Sequence, residues 1–356
     1  MSTVRPFPAL VARQDSARRM VTAMADPLEE AAAGRGAVAT DPAAYDEAAA
    51  ALYVYRQGRG RGASHTGLVC EVAMRAFVEG QVRGHEAVQP QRVEALVRHH
   101  ATTSDPPTLV ALLHRAGEAF TRMLDETCRT PPLLDFDGPG RQQTLWRVAH
   151  GPAAIAVTEE LTAAIHYVAD GHHRVAAGIE EWRLAGKPPE AGLLCVVHPL
   201  GGLRLSVFHR RVTGPVIPSR LLELLAPWAL VEAVSAPPAP TVGSFGLYVE
   251  GAWFDVRHQG SPGAGRAALD IAVLQAQVLE RLDQPAPGLP HSVEIAPAPT
   301  SVDELTRRCD TDGGALFTLA PPPLEALTML ADAGEVMPPK TTYFAPKPCT
   351  GIFLRP

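Results

Sequence analysis

The sequence lacks several features that would assign it directly to a class of protein. No apolar run reaches the roughly 18 to 20 residues that a membrane-spanning helix needs, and the N-terminus MSTVRPFPALVARQDSARR lacks the charged, apolar and small-residue order of a signal peptide. Basic residues are not in excess, because the formal net charge is -6 and the pI is near 6.1. No general positive field therefore attracts nucleic acid or an anionic membrane. We expect a cytoplasmic protein with neither kind of partner.

Cysteine is scarce, and the familiar catalytic motifs are missing. The five cysteines are odd in number and far apart, without a CxxC pair, so they indicate neither a disulfide framework nor a zinc site. There is no GxSxG nucleophile elbow and no HExxH spacing. What remains is an ordinary globular composition, with 356 residues of which 46% are hydrophobic and 20% charged. This length allows one large or two ordinary domains.

Glycine and proline, in contrast, are plentiful and divide the chain into segments. The breaker SAPPAPTVGS (235–244) predicts a boundary between an N-terminal domain, residues 1–236, and a C-terminal subdomain, residues 241–356. In the first, HYVA, HHRVAAGIEEWRLAG and GLLCVVHPL predict a strand, a helix and a strand. In the second, FGLYVEGAWFDV predicts a hairpin that turns at Glu250 and Gly251. The chain as a whole predicts an α+β fold.

Three other segments have patterns typical of helices. The stretches TLVALLHRAGEAFTRML (108–124) and SRLLELLAPWALVEAV (219–234) carry apolar residues three and four positions apart. The alanine-rich stretch PAAYDEAAAA (42–51) has high helix propensity. We expect a helix in each.

The stretch DGHHR, residues 170–174, lies where the predicted strand gives way to the predicted helix, and we call it the DGHHR turn. The first N–H groups of a helix are unpaired and carry partial positive charge, so they can bind an anion such as phosphate. Gly171 lets the backbone approach a ligand closely. His172, His173 and Arg174 can donate hydrogen bonds to phosphate oxygens, and Arg174 is the strongest candidate because it is always charged and fork-shaped.

The residues alone leave three interpretations of this turn open. Asp170 could simply cap the helix, with a solvated first turn after it. Asp170 and one histidine could hold a metal ion, with further ligands from elsewhere. Cations at this end of a helix oppose its dipole, however, and an anionic ligand would account for their presence.

Two further stretches contain candidate residues. In RGHEAV, His85 and Glu86 could act as acid and base, or they could be surface residues. In EVMPPKTTYFAPKP, two prolines stiffen the backbone before Lys340, which suits a phosphate contact. The alternative interpretation of that stretch is a proline-rich tail that packs on the core.

Taken together, the motifs resemble one known family along nearly the whole chain. VRPF, ALYVYRQ, TGLVCEV, RGHEAVQP, VADGHHRVAAG, FGLYVEGAWF, ALDIAVLQ and MPPKTTYFAPKPCTGIF occur in the order seen in the domain-of-unknown-function family numbered one thousand and fifteen. The specific parts are DGHHR and the C-terminal pattern MPPK-T-F-PK. The DGHHR box also resembles the corresponding box of the free serine kinases, which belong to the ParB and sulfiredoxin superfamily.

This resemblance implies a fold, an activity and roles for residues. The fold would be a ParB/sulfiredoxin-like core within a larger mixed α/β N-terminal part, with a smaller α+β C-terminal part. The activity would be ATP- or ADP-dependent phosphorylation of a small metabolite's hydroxyl group, with Mg²⁺, and free serine or a related hydroxy amino acid is the best candidate. The implied binding residues are Gly171, His172, His173, Arg174 and Lys340 for the nucleotide, and Asp170 for Mg²⁺ or the acceptor hydroxyl. Glu86 would be the base, beside His85.

The chain departs from the resemblance in one place that bears on activity. Where the family usually carries a Pro-Pro-Tyr-Asp segment, the nearest stretch is MADPLEE. Two other functions are therefore retained. The first is a regulatory protein that binds a nucleotide or a phosphorylated metabolite without turnover, and the second is a metal-dependent hydrolase that uses Asp170 and the histidines.

Overall fold

The structure is a computed structural model, and it describes residues 2–23, 41–58, 64–102, 108–259, 265–282, 292–296 and 299–354. The chain divides into two compact units. Unit 1 comprises Met1–Gly84, Val88–Arg204 and Phe344–Pro356, and unit 2 comprises His85–Ala87 and Leu205–Tyr343. Each unit contains both helices and sheets, which confirms the α+β class.

The strands of the described residues are numbered in chain order. They are β1 Val4–Arg5, β2 Phe7–Ala12, β3 Tyr45–Ala51, β4 Tyr53–Gln57, β5 His65–Ala73, β6 Val82–Arg83, β7 Val110–His114, β8 Leu134–Asp137, β9 Gln142–Arg147, β10 His166–Asp170, β11 Gly192–Pro199, β12 Arg204–Ser206, β13 Arg210–Thr213, β14 Ala229–Val234, β15 Ser244–Val249, β16 Ala252–His258, β17 Ser292–Ile295, β18 Ala315–Leu319, β19 Tyr343–Ala345 and β20 Phe353–Leu354.

The helices are numbered in the same way. They are α1 Ala17–Met20, α2 Met74–Val78, α3 Pro90–Thr102, α4 Glu118–Thr127, α5 Pro152–Ala163, α6 His172–Leu184, α7 Pro218–Leu225, α8 Asp270–Leu274, α9 Glu280–Leu282, α10 Val302–Asp312 and α11 Leu324–Asp332. A π-helical segment, Gln275–Leu279, joins α8 to α9, and short 3₁₀ turns lie at Pro42–Ala44 and Gly265–Ala268.

Unit 1 is built on a nine-stranded mixed sheet. Its order is β6-β10-β7-β11-β5-β4-β9-β8, and β1 pairs with β5 beside this path. The central strands read as continuous apolar runs and are buried along their length, as in VALLH of β7, because both of their faces pack against other elements. Helix α6 leaves the end of β10 and the chain returns to the sheet as β11, which confirms the predicted strand, helix and strand.

Two of the three segments predicted to be helical, residues 108–124 and 42–51, lie in unit 1. Both predictions were wrong in part. Val110–His114 is a strand that pairs with β10 and β11, and only Glu118–Thr127 is helical. A short apolar run fits a buried strand as well as a helix face. The alanine-rich stretch forms β3, which pairs with β2 in a small sheet of order β20-β2-β3. There, tertiary pairing overrides helix propensity.

Unit 2 is built on a six-stranded sheet with the order β14-β16-β15-β18-β13-β17. The predicted hairpin is confirmed, since β15 and β16 pair and the turn residues Glu250 and Gly251 have φ values of 48° and 76°. The third predicted helix ends at Leu225, and its second half is strand β14. The breaker at 235–244 connects β14 to β15, and both of these strands pair with β16. It is therefore a loop within one sheet, and it lies inside the long segment of unit 2, Leu205–Tyr343.

Candidate functional site

The DGHHR turn lies in unit 1, where β10 ends at Asp170 and α6 begins at His172. Gly171 between them is in the left-handed region, with φ 105° and ψ 24°. A Cβ atom at this position would lie 3.0 Å from Nη2 of Arg174. Glycine is therefore favoured for two reasons. It adopts the left-handed conformation without strain, and it has no Cβ atom that would crowd the Arg174 guanidinium.

Asp170 binds two cations. Its carboxylate accepts one hydrogen bond from Nη2 of Arg174 and another from Nζ of Lys347. Arg174 is fixed further by a bond from Nη1 to the carbonyl oxygen of Leu109, at 2.7 Å. Gly171 occupies the N-cap position of α6 and has no side chain to form a cap bond, and the interpretation of Asp170 as a helix cap stays a prediction.

Lys347 reaches Asp170 because the C-terminal segment is attached to the sheet of unit 1. Nε2 of Gln57 donates to the carbonyl oxygen of Lys347 at 2.9 Å. The N–H of Cys349 donates to the hydroxyl of Tyr55 at 3.3 Å, and that hydroxyl donates to Oε1 of Gln143 at 2.5 Å. Lys340 was predicted as the phosphate contact from this tail and Lys347 was not, although the PK of the family pattern contains it.

The two histidines of the turn differ in their surroundings. His172 is buried, with 8% of its surface exposed, and its ring lies against Gly84, where a Cβ atom would approach Cδ2 to 3.2 Å. His173 is half-buried, and its Nε2 accepts a hydrogen bond from the N–H of Gln89 at 3.1 Å. This bond requires that Nε2 of His173 carries no proton.

The charges of the turn leave room for an anion. Arg174 and Lys347 share the single carboxylate of Asp170, so these three groups carry a formal charge of +1. The first turn of α6 contains no acidic residue, and the helix dipole adds partial positive charge there. The three side chains are 14% to 23% exposed, so a small anion can approach them from solvent.

A metal ion fits this arrangement poorly. Both oxygens of the Asp170 carboxylate face a cation, whereas Mg²⁺ needs them as ligands. Among the residues that the structure describes, no group of three or more His, Cys, Asp or Glu side chains could hold a metal ion. The interpretation of the turn as a metal site, and with it the metal-dependent hydrolase, lacks a ligand set in that part of the chain.

The other candidate residues lie together in unit 2. Nε2 of His85 is 2.9 Å from the hydroxyl of Thr342, and the carbonyl oxygen of His85 accepts from the N–H of Met337 at 2.8 Å. Oε1 of Glu86 accepts from the backbone N–H of Lys340 at 3.4 Å. His85 is 1% exposed and Glu86 is half-buried. The structure thus brings the HE pair and the MPPK segment into contact.

Lys340 itself is exposed, and its backbone has a positive φ of 55°. Its Nζ lies 5.7 Å from the centroid of the Phe208 ring, within the range of a cation–π contact. The guanidinium of Arg210 donates to the carbonyl oxygens of Pro339 and Lys340 at 3.0 and 3.1 Å. These bonds hold the MPPK segment in place within unit 2.

A comparison with protein families assigns the chain. Residues 25–284 match the family described as "Protein of unknown function (DUF1015)". The chain belongs to this family. The match confirms the resemblance that the sequence motifs indicated. No curated protein matches the chain.

Solved structures with a similar fold share little sequence with this chain. A mutant of free serine kinase in complex with ADP has 14% identity and a TM-score of 0.40, and the match covers 78% of this chain and 87% of that one. SbnI from Staphylococcus aureus, truncated at its C-terminus, has 13% identity and a TM-score of 0.42, and the match covers 81% of this chain and 87% of that one. A conserved hypothetical protein from Pyrococcus furiosus has 15% identity and a TM-score of 0.38, and the match covers 78% of this chain and 90% of that one.

No helix within the described ranges is long and apolar enough to span a membrane.

Proposed function

We propose that the DGHHR turn binds the phosphate groups of ATP or ADP, and that the protein is a kinase for the hydroxyl group of a small metabolite. Free serine or a related hydroxy amino acid is the proposed acceptor. The observation that carries this proposal is the arrangement of Arg174 and Lys347 around a single carboxylate, where α6 begins after Gly171. The resemblance of DGHHR to the box of the free serine kinases supports the choice of a nucleotide.

Phosphoryl transfer suits these residues because the protein mainly has to position its substrates and neutralise charge. In the proposal, the first N–H groups of α6 and the guanidinium of Arg174 receive phosphate oxygens. Lys347 shifts from Asp170 toward the phosphate, because a phosphate group attracts its ammonium as strongly as a carboxylate does. In this proposal Asp170 then accepts a proton from the acceptor hydroxyl through the oxygen that Lys347 has left.

Roles for the remaining candidates are part of the same proposal. Glu86, beside His85, is the alternative base, and Lys340 is a further phosphate contact. Because Oε1 of Glu86 accepts a hydrogen bond from the backbone N–H of Lys340, substitution of Glu86 should disturb the backbone at Lys340. Mg²⁺ is part of the proposal because the resemblance implies it, and Asp170, which is paired with two cations in this structure, would be its ligand only after Lys347 has shifted.

Nucleotide binding is the first test. We expect isothermal titration of the full chain with ADP to show binding that weakens by about tenfold or more in Arg174→Ala, which removes a charge-assisted contact. Lys347→Gln should weaken binding in the same direction. Arg183→Ala is the matched control, because Arg183 lies at the other end of α6, is exposed, and among the described residues forms an ion pair only with Glu180, at 3.5 Å. Equal ADP affinity of Arg174→Ala and Arg183→Ala would contradict the proposal.

Turnover is the second test, and it separates a kinase from a binding protein. The protein is incubated with ATP or ADP, Mg²⁺ and a panel of hydroxy amino acids, and phosphorylated products are identified by mass spectrometry. A product that requires Arg174 supports the kinase. ADP binding that depends on Arg174, without product from any acceptor, supports the regulatory protein instead.

A further inference from the structure

Unit 2 contains a cavity of about 530 Å³ that the proposed function does not use. This volume lies within the range of pockets that hold small molecules, which is roughly 300 to 1,000 Å³. Part of its wall is apolar and includes Ile271, Val293 and Pro338. Three charged residues, Arg210, Arg266 and Glu280, complete the wall. We refer to it as the Arg210 cavity.

Arg210 places an unneutralised positive charge in this wall. The residue is 3% exposed, and its guanidinium donates to the carbonyl oxygens of Phe208, Pro339 and Lys340 at 2.8 to 3.1 Å. These acceptors are neutral, and among the described residues no carboxylate lies within 4.0 Å of the guanidinium. A buried charge without a counter-ion is costly. Burial accordingly lowers the pKa of Arg210 to about 10, which still leaves it charged at neutral pH.

Arg266 supplies hydrogen-bond donors at the same cavity. It is exposed on the 3₁₀ turn Gly265–Ala268, and the residues described by the structure offer its guanidinium neither an ion pair nor a hydrogen bond. Arginine presents a planar fork that matches a carboxylate with two parallel bonds. Arg266 is therefore placed to bind the anionic end of a ligand whose body lies along the apolar wall.

The net formal charge of the residues that line the Arg210 cavity indicates which kind of anion it would bind. Two arginines and Glu280 give a formal charge of +1, which matches a monoanion. The terminal nitrogens of Arg210 already donate to backbone carbonyls, so few donors remain for the three oxygens of a phosphate ester. A carboxylate needs fewer donors and carries the matching charge.

The helical part of the wall is irregular at this place. Gln275 and Ala276, which line the cavity, belong to the π-helical segment Gln275–Leu279. π-Helical turns inside α-helices occur frequently at functional sites. Here the extra residue coincides with the cavity, and the small side chain of Ala276 keeps space open in its wall.

We propose that the Arg210 cavity binds a small carboxylate with an apolar body, whose carboxylate group pairs with Arg266 in the field of Arg210. The ligand would lie against Pro338 and Pro339, which precede Lys340. The occupancy of this cavity can be measured without nucleotide.

The test uses 3-phenylpropanoate as the probe, titrated calorimetrically into the full chain without nucleotide. We expect saturable binding that falls about tenfold or more in Arg266→Gln, the change that corresponds to loss of a charge-assisted hydrogen-bonded pair. Arg281→Gln is the matched control, since Arg281 is exposed on α9 and does not line the cavity. Ala276→Trp, which fills the cavity from an exposed position, should abolish binding without removing a charge.

Two comparisons of ligands complete the test. The neutral amide 3-phenylpropanamide should bind at least about tenfold more weakly than the carboxylate, because it lacks the charge that the arginines select. The phosphate monoester of 2-phenylethanol should also bind more weakly. Equal binding of carboxylate and amide, tighter binding of the phosphate, no binding of the carboxylate, or an unchanged affinity in Arg266→Gln would each overturn the proposal.

Discussion

The left-handed backbone of Gly171 sets the path of the chain from β10 into α6, and it leaves space for the Arg174 guanidinium. In Gly171→Ala we expect a loss of about 1 to 2 kcal/mol of unfolding free energy from the backbone conformation. The new Cβ atom should also displace Arg174 from its place 3.0 Å away, and thereby weaken ADP binding. Urea unfolding and calorimetric titration measure the two effects separately.

Gly186, just beyond the other end of α6, provides the control for this variant. Its φ is 81°, but a Cβ atom there would meet nothing within 4 Å. Gly186→Ala should therefore lose stability through its backbone while it keeps the ADP affinity of the unsubstituted protein. If both variants lost ADP affinity equally, the contact between residue 171 and Arg174 would not be the cause.

Residues near in sequence were easier to predict as neighbours than residues far apart. The DGHHR turn has its predicted place at a helix start because local signals, a strand followed by Asp-Gly, determine it. The pair between Lys347 and Asp170 joins positions 177 residues apart, and no local pattern reports such a contact. Only the family pattern MPPK-T-F-PK included Lys347, as its last residue.

Glu160 links two helices of unit 1. Its carboxylate accepts from Nε2 of His114 and the N–H of Gly117, at 3.0 and 2.8 Å, and from the N–H of Phe120 at 3.1 Å. A side chain on α5 thus caps α4, whose own first residues offer no side-chain cap. Burial raises the pKa of Glu160, but the three hydrogen bonds outweigh it and leave the pKa below its ordinary value.

We expect Glu160→Ala to lower the unfolding free energy by about 1 to 3 kcal/mol, since two backbone N–H groups and His114 lose their acceptor. Glu159→Ala is the matched control, because Glu159 is the exposed neighbour on the same helix. Urea unfolding at pH 7 measures the difference. The advantage of Glu160 should shrink as the pH falls through its lowered pKa, because a protonated carboxyl is a weaker acceptor. A pH-independent difference would contradict capping by the carboxylate.

At the scale of elements, the sequence predicted types well where glycine-containing turns bounded a segment, and poorly where a helical pattern extended over residues that form a strand. α6 and the β15–β16 hairpin follow from clear patterns and from Gly251 at the turn. The run VALLH could satisfy either a helix or a buried strand, and its pairing with two distant strands decided the outcome. The same holds for β3, whose alanines pair with β2.

For the molecule as a whole, buried histidines set the response to acid. Burial lowers the pKa values of His166 and His198 to about 4, against opposing hydrogen bonds to the carbonyl oxygens of Leu161 and Thr66. Asp270 acts in the opposite direction, because burial raises its pKa to about 6 and the folded state then gains protons as the pH falls. Among these three groups the two histidines outweigh the aspartate, so their combined effect in acid should be destabilising.

The sign follows from the protons bound by each state. Below about pH 6.5 the unfolded chain protonates His166 and His198 while the folded chain does not, so stability is full above pH 6.5 and falls toward pH 4. Between pH 7 and pH 5 each histidine should cost about 2 kcal/mol. The double variant His166→Gln and His198→Asn keeps a donor for each carbonyl and removes the titration, so its unfolding free energy should change less over this range. His150→Gln, at an exposed position, is the control for replacement of a histidine as such. Parallel urea curves for the double variant and the unsubstituted protein at both pH values would show that other groups control the acid response.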